Sequence, residues 1–175
     1  MQNIENVRHS LSHLLAAAVL KKFPKAKFGI GPVIENGFYY DFELPRQITN
    51  EDLKKLESEM RKFIKESLAF SQKKISIAEA KKLFKDQPYK LELIKDLSKT
   101  EKTVSIYKTA GVFTDLCKGG HVKNTKEINA DGFKLEKTAG AYWRGDEKNP
   151  MLTRIYGLAF ATKKELDEYV TREEE

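Results

Sequence analysis

Residues 3–44 read NIENVRHSLSHLLAAAVLKKFPKAKFGIGPVIENGFYYDFEL, and this stretch decides the class of fold. Leu11, Leu14, Leu15, Ala18 and Val19 recur at helical spacing, so Asn3 to Phe23 reads as one helix, stopped by Pro24. Residues 26–34 and 38–44 then read as two strands. Asn36-Gly37 between them is a hairpin signal, because both residue types tolerate positive φ. A long helix followed by a hairpin, without a crossover, is the start of an antiparallel sheet with a helix on it.

The rest of the chain repeats the mixture. Thr49 to Leu68 reads as a charged amphipathic helix, with Thr49 and Asp52 spaced as a cap. Phe70 to Ile75 reads as a strand, and Ser76 with Glu79 caps a short helix through Phe84. A Pro-Tyr break follows at Pro88. Residues 103–108 and 111–116 read as strands joined at Ala110-Gly111, and 132–143 and 152–161 as two more. Thr162 and Glu165 cap a final helix. Strands and helices do not alternate as regular βαβ units, so the expected class is α+β. Residues 49–85 are expected to form a small helical lobe inserted into the sheet domain.

Composition narrows the function. The 175 residues suit one domain, and 40% hydrophobic with 10% aromatic content supports an ordinary core. The formal charge is +6, and residues 51–102 hold 14 Lys/Arg against 10 Asp/Glu. A basic excess of this size fits a polyanionic partner, and a solvated helix surface explains it equally well. The longest apolar run, Leu14 to Leu20, is too short to span a membrane, and MQNIENVRHS is not a signal peptide. A single cysteine precludes an internal disulfide. A soluble cytoplasmic protein is expected.

The chemistry concentrates in few residues. His9 and His13 are four apart on the first helix, hence on one face. The only other histidine, His121, is four residues from the only cysteine, Cys117, across Gly119-Gly120. The three histidines and one thiol make a donor set that tetrahedral zinc accepts. Taken pair by pair, a satisfied histidine and a small buried thiol explain them too. Asp115 should face the same side as Cys117, two residues on along a strand. It could orient a histidine or position water, or cap the next turn.

Four segments, RHSLSHLLAAAV, FGIGPVIENGFYYDF, FTDLCKGGHV and TAGAYWRGDEKNPMLTRIYGLAFATKKELDEY, resemble the editing domain of bacterial-type threonyl-tRNA synthetases. The likeness runs from Val7 to Tyr169. Alanyl-tRNA editing domains share the paired histidine and Cys-His elements, but AYWRGD and RIYG point to the threonyl branch. The resemblance implies a long helix on a curved antiparallel sheet. It implies that His9, His13, Cys117 and His121 line the cleft, that Lys90 and Asp115 serve hydrolysis, and that Tyr40 lies near the terminal adenosine or seryl group. It implies hydrolysis of the ester of seryl-tRNA(Thr), with threonyl-tRNA(Thr) spared. We expect His9, Lys90 and Asp115 to be catalytic, with His13, Tyr40, Cys117 and His121 binding substrate. Zinc is not required by this chemistry, although alanyl-type relatives hold it with the same four residues; it stays open at His9, His13, Cys117 and His121. This chain has Gly120 where the family usually has Pro, which loosens the loop carrying His121, and Lys118 where Arg is frequent.

Several expectations about context follow. The editing domain should cover residues 1–170, with 171–175 starting a linker helix or marking a cut end. The implied partners are the acceptor end of tRNA(Thr) and the catalytic and anticodon-binding domains of a parent synthetase. No aminoacylation is expected from this chain alone, which reads as an excised piece or a freestanding editor. The competing readings are a zinc-stabilised tRNA-binding module without catalysis and an alanyl-tRNA-type deacylase.

Overall fold

A computed structural model describes residues 3–174. Met1 and Gln2 of the expected domain and Glu175 of the expected linker lie outside it. The elements run α1 (Ile4–Lys22), β1 (Lys27–Phe28), β2 (Val33–Ile34), β3 (Gly37–Glu43), α2 (Asn50–Lys65), β4 (Phe70–Ser76), α3 (Ile77–Leu83), α4 (Pro88–Leu97), β5 (Thr103–Thr109), β6 (Phe113–Leu116), β7 (Phe133–Tyr142), β8 (Met151–Ala159) and α5 (Lys163–Glu174). Among the described residues, five α-helices and two antiparallel sheets make the fold α+β, as expected. One sheet orders β1-β3-β8-β7, with β2 also on β3; the other orders β4-β5-β6.

Helix α1 is the centre of the molecule. Every residue from Ser10 to Val19 is buried. A helix buried all round must be covered on several sides. The five-stranded sheet covers one side, α2 another, and β6 packs near the histidines. Phe38, Tyr40 and Phe42 alternate along β3 with Tyr39 and Asp41, so their rings meet α1 from the same sheet face. Leu53, Leu56, Met60 and Phe63 of α2 join this large core. A second, smaller core forms around Ile75, Ala80, Phe84, Ile94, Val104 and Ile106, from β4, α3, α4 and β5. Residues 49–85 thus divide between the two cores.

Three local expectations change. The strand over 26–34 is split, because Gly29 to Pro32 leave the regular ladder; Gly29 still donates to the Asp41 carbonyl. The hairpin turns on Glu35-Asn36, with only Asn36 at positive φ (65°). Gly37 opens β3 instead, and it is needed there for a different reason: a Cβ would collide with the Gly157 carbonyl oxygen of β8. Finally, Pro88 is no break. It occupies the first turn of α4, where its missing N–H costs nothing.

Candidate active site

Four separate segments converge at one point. The helical spacing of α1 brings His9 and His13 side by side, with ring centroids 5.0 Å apart. After β6 the chain turns back through Gly119 (φ 129°) and Gly120 (φ 87°), conformations that only glycine adopts readily. That return lays His121 between the other rings, at 4.1 Å from His9 and 4.2 Å from His13. Cys117 Sγ is 3.4 Å from Nε2 of both His9 and His121. The two pairs seen in the sequence are one cluster.

A second layer lies directly beneath. Tyr40 from β3 donates to Asp115 Oδ2 at 2.7 Å. Lys90 from α4 reaches Asp115 Oδ1 at 2.5 Å and donates to the Tyr40 hydroxyl at 3.0 Å. The Leu116 amide donates to Oδ1 at 2.7 Å, and His13 Nε2 stands 3.4 Å from Oδ2. Lys90 and Asp115 are each 3% exposed, so the ion pair is buried and joined on all sides. The Asp115 carboxylate is saturated with donors. Lys90 has two of its three protons committed.

Burial sets the protonation of the cluster. It pushes His13 well below the ordinary histidine range, lowers His9, and pushes His121 down to about 2. It pushes the Cys117 thiol up to about 11 and the Tyr40 hydroxyl well above its usual value. At neutral pH the site therefore holds three neutral imidazoles and a protonated thiol. His13 Nδ1 is buried and has no protein partner.

All seven residues expected from the sequence meet here: His9, His13, Tyr40, Lys90, Asp115, Cys117 and His121. What sequence reasoning missed is Ser10. It is fully buried, with Oγ 3.0 Å from His121 Nδ1 and 3.0 Å from the Val122 amide. The available signal was a pair of hydroxyls, Ser10 and Ser12, between two histidines on a helix that continues as an apolar run. Two grooves reach the site. One, of about 530 Å³, is lined by Phe28, Phe84, Phe113 and Lys90; the other, of about 630 Å³, by Gln72, Lys74, Ser105, Cys117 and Lys118.

The donor chemistry of His9, His13, Cys117 and His121 fits a metal. Their ligand atoms all lie within 4.8 Å of one another. Ligands of a tetrahedral zinc stand roughly 3.5 Å apart, given bonds of about 2.0–2.3 Å. The two Cys117 distances match that spacing, and the full set would contract slightly to bind. These four residues could hold a metal ion. Among the described residues, no helix is long and apolar enough to cross a membrane.

Comparison with known proteins supplies the context. Residues 104–156 match the family described as the threonyl and alanyl tRNA synthetase second additional domain. That span contains Asp115, Cys117 and His121. The whole chain is 54% identical over 175 residues to a threonine–tRNA ligase of Dehalococcoides mccartyi. It is 50% identical over 168 residues, 96% of the chain, to that of Borreliella burgdorferi, and 53% over 169 residues, 95% of the chain, to that of Thermotoga maritima. The chain spans 29%, 29% and 26% of the length of these relatives. Residues 104–156 thus match the threonyl and alanyl tRNA synthetase second additional domain, and the chain as a whole is similar to the corresponding part of threonine–tRNA ligases.

Proposed function

We propose that this domain edits: it hydrolyses the ester of seryl-tRNA(Thr) and spares threonyl-tRNA(Thr). The observation that carries the reading is the convergence of a buried Lys–Asp–Tyr network with three neutral imidazoles. The thiol is assigned no nucleophilic role, since an activated ester needs no covalent step; burial pushes it up to about 11. The need is physical. A synthetic site gains only about 1–3 kcal/mol against a substrate lacking one methyl group. A second site that admits serine and refuses threonine supplies the rest.

Each residue has a role in that reaction. His9 is the most accessible imidazole partner of Cys117, and its Nε2 takes the proton of the attacking water when the weak S–H donor yields its place. The uncommitted proton of Lys90 faces the developing oxyanion. Asp115 holds Lys90, Tyr40 and His13 in register rather than contacting water freely, because its lone pairs are taken. His13 Nδ1, an acceptor without a partner, receives the seryl ammonium or hydroxyl. Cys117 and His121 form the wall that measures the side chain, and Tyr40, fully buried beneath them, holds the Asp115–Lys90 pair instead of touching the terminal adenosine. Lys74 and Lys118 line the groove by which the acceptor end arrives, in the cytoplasm, with the remaining domains of a parent ligase supplying further grip. A zinc ion held by three of His9, His13, Cys117 and His121, with the fourth displaced by water, would instead supply metal-activated hydroxide, whereas a zinc holding all four would be closed and structural.

Deacylation of serylated and threonylated tRNA(Thr) by this chain is the test. Serine should be lost and threonine kept, and His9→Ala should slow serine release by about 10²-fold or more. Loss of neither aminoacyl group at micromolar protein and low salt would sink catalysis by this domain and favour a tRNA-binding module. Preference for alanine tRNA carrying serine would favour the alanyl-type reading. Metal analysis of protein prepared without chelator separates the two chemistries: one zinc per chain, on three of the four residues, moves the mechanism to the metal.

A further inference from the structure

Ser10 lies on α1 between His9 and His13, beside Leu11 and close to a second buried serine, Ser12, whose hydroxyl is spent on the His9 and Gly31 carbonyls. A buried hydroxyl must place its own proton as well as accept others. Its oxygen takes the Val122 amide proton at 3.0 Å. Among the described residues its other partner is Nδ1 of His121, also at 3.0 Å. Were Nδ1 to carry a proton, Oγ would accept twice and its own proton would be buried without an acceptor. The proton therefore belongs on Oγ, pointing at a bare Nδ1.

The consequence passes from atom to atom. A bare Nδ1 puts the His121 proton on Nε2, which faces Cys117 Sγ at 3.4 Å. The thiol proton is then free to point to Nε2 of His9, also at 3.4 Å. That nitrogen is bare, because His9 Nδ1 faces the Gly120 carbonyl at 3.3 Å, and a carbonyl only accepts. One proton direction runs from the Val122 amide through Ser10, His121, Cys117 and His9 to the Gly120 oxygen. Both backbone ends of the circuit lie in the same loop. Among the described residues the Gly119 carbonyl, 3.8 Å from Sγ, is the other acceptor within reach of the thiol proton, and the Gly119 amide donates to Sγ at 3.4 Å.

We propose that Ser10 is a positioning residue: its hydroxyl fixes His121 as the Nε2–H tautomer and thereby sets the direction of every proton in the histidine–thiol cluster. It also ties the Gly119-Gly120 return to α1, which this loop needs because two glycines leave it free to move. The same assignment leaves the Nε2 of His9 without a proton of its own, the atom that the deacylation reading uses as base. Only the kinetic part of the inference rests on that reading.

The test uses nitrogen-15 labelled chain at neutral pH, with the imidazole nitrogens observed by long-range proton correlation. His121 is assigned by the signals lost in His121→Asn. The wild-type chain should show a pyrrole-type Nε2 and a pyridine-type Nδ1 at His121. Ser10→Ala should populate both tautomers, and Ser10→Thr, which keeps the hydroxyl, should restore one. In deacylation, Ser10→Ala should lower kcat on the order of ten- to a hundredfold with KM unchanged, the usual loss when an orienting partner is removed. A wild-type His121 protonated on Nδ1 overturns the inference. So does a Ser10→Ala spectrum identical to the wild type. A chain that deacylates nothing leaves the tautomer result standing, so the two readings fail separately.

Discussion

Lys90 and Asp115 carry the sharpest residue-level consequence. Two opposite charges, each 3% exposed, are tolerable only together, because either alone would be a buried charge without a counterion. Asp115→Asn and Lys90→Met should each destabilise the domain by roughly 3–5 kcal/mol, and the double variant by much less than their sum. Denaturant midpoints of the four proteins close that cycle; additive losses would show that the pair does not act as a unit. The site was legible in the sequence where counting sufficed. Three histidines and one cysteine, spaced in two matched fours, must be either coincidence or a cluster. Lys90 carried no such mark: a lysine after Pro88-Tyr89 looks solvated, and only the family likeness singled it out. Its burial depends on a tyrosine fifty positions earlier and an aspartate on another sheet, which no local pattern encodes. Ser10 was hidden for the converse reason, since a small hydroxyl in an apolar stripe reads as a filler.

At the scale of elements, α2 shows how a helix end can depend on pH. Thr49 Oγ1 accepts from the Asp52 amide, and the Asp52 carboxylate accepts from the Thr49 amide, closing a capping box. Arg46 adds two contacts to the same carboxylate, at 2.5 and 2.9 Å. The guanidinium first, and then the Thr49 amide, hold the Asp52 carboxyl well below the usual carboxylate range. The folded chain therefore binds this proton less readily than the unfolded chain. The stabilisation is complete above the unfolded carboxylate pKa of about 4 and disappears as pH falls through and below it. Asp52→Asn should cost about 1 kcal/mol at neutral pH. That gap between variant and wild type should shrink on acidification, as unfolding midpoints at several pH values would reveal; a gap independent of pH would rule the carboxylate out as its source. The cap itself was readable, as was the hydrophobic spacing of α1, because both signals are local. Helix α4 was not read at all. Its Pro88 is as good a start as a stop, and its buried residues Tyr89, Lys90 and Ile94 include a lysine where an amphipathic pattern calls for an apolar side chain. The turn at Glu35-Asn36 was misplaced by one residue because Gly37 is required by the approach of β8, a contact 120 positions away in the chain.

Over the whole molecule, the site sits on the seam between two cores. His9, His13 and Tyr40 belong to elements of the large core, whereas Lys90 rides on α4, which is anchored in the small one through Ile94 and in a third cluster with Trp143 and Leu152 through Tyr89. Asp115 joins them from β6, whose Phe113 packs in the large core while its partner strand β5 contributes Val104 and Ile106 to the small one. The geometry of the site therefore depends on how firmly the small core holds α4. Ile94 is completely buried there, one helical turn after Lys90 and on the same face. Shortening it, Ile94→Ala, removes buried volume beside Lys90 while leaving every hydrogen-bonding group of the site in place, at a cost of about 2–5 kcal/mol. Because the small core holds few large side chains, the damage should stay on that side of the seam. Hydrogen exchange should accelerate at amides of β4, α4 and β5 while α1, β3 and β8 keep their protection. Deacylation should fall more than the folded fraction does, because Lys90 loses its anchor while His9 and His13 keep theirs. Alkylation of Cys117, which borders the groove formed by β5 and α4, should speed up in parallel. Uniform loss of protection across both sheets would mean instead that the two cores unfold as one unit, and that the seam has no independent part in holding the site together.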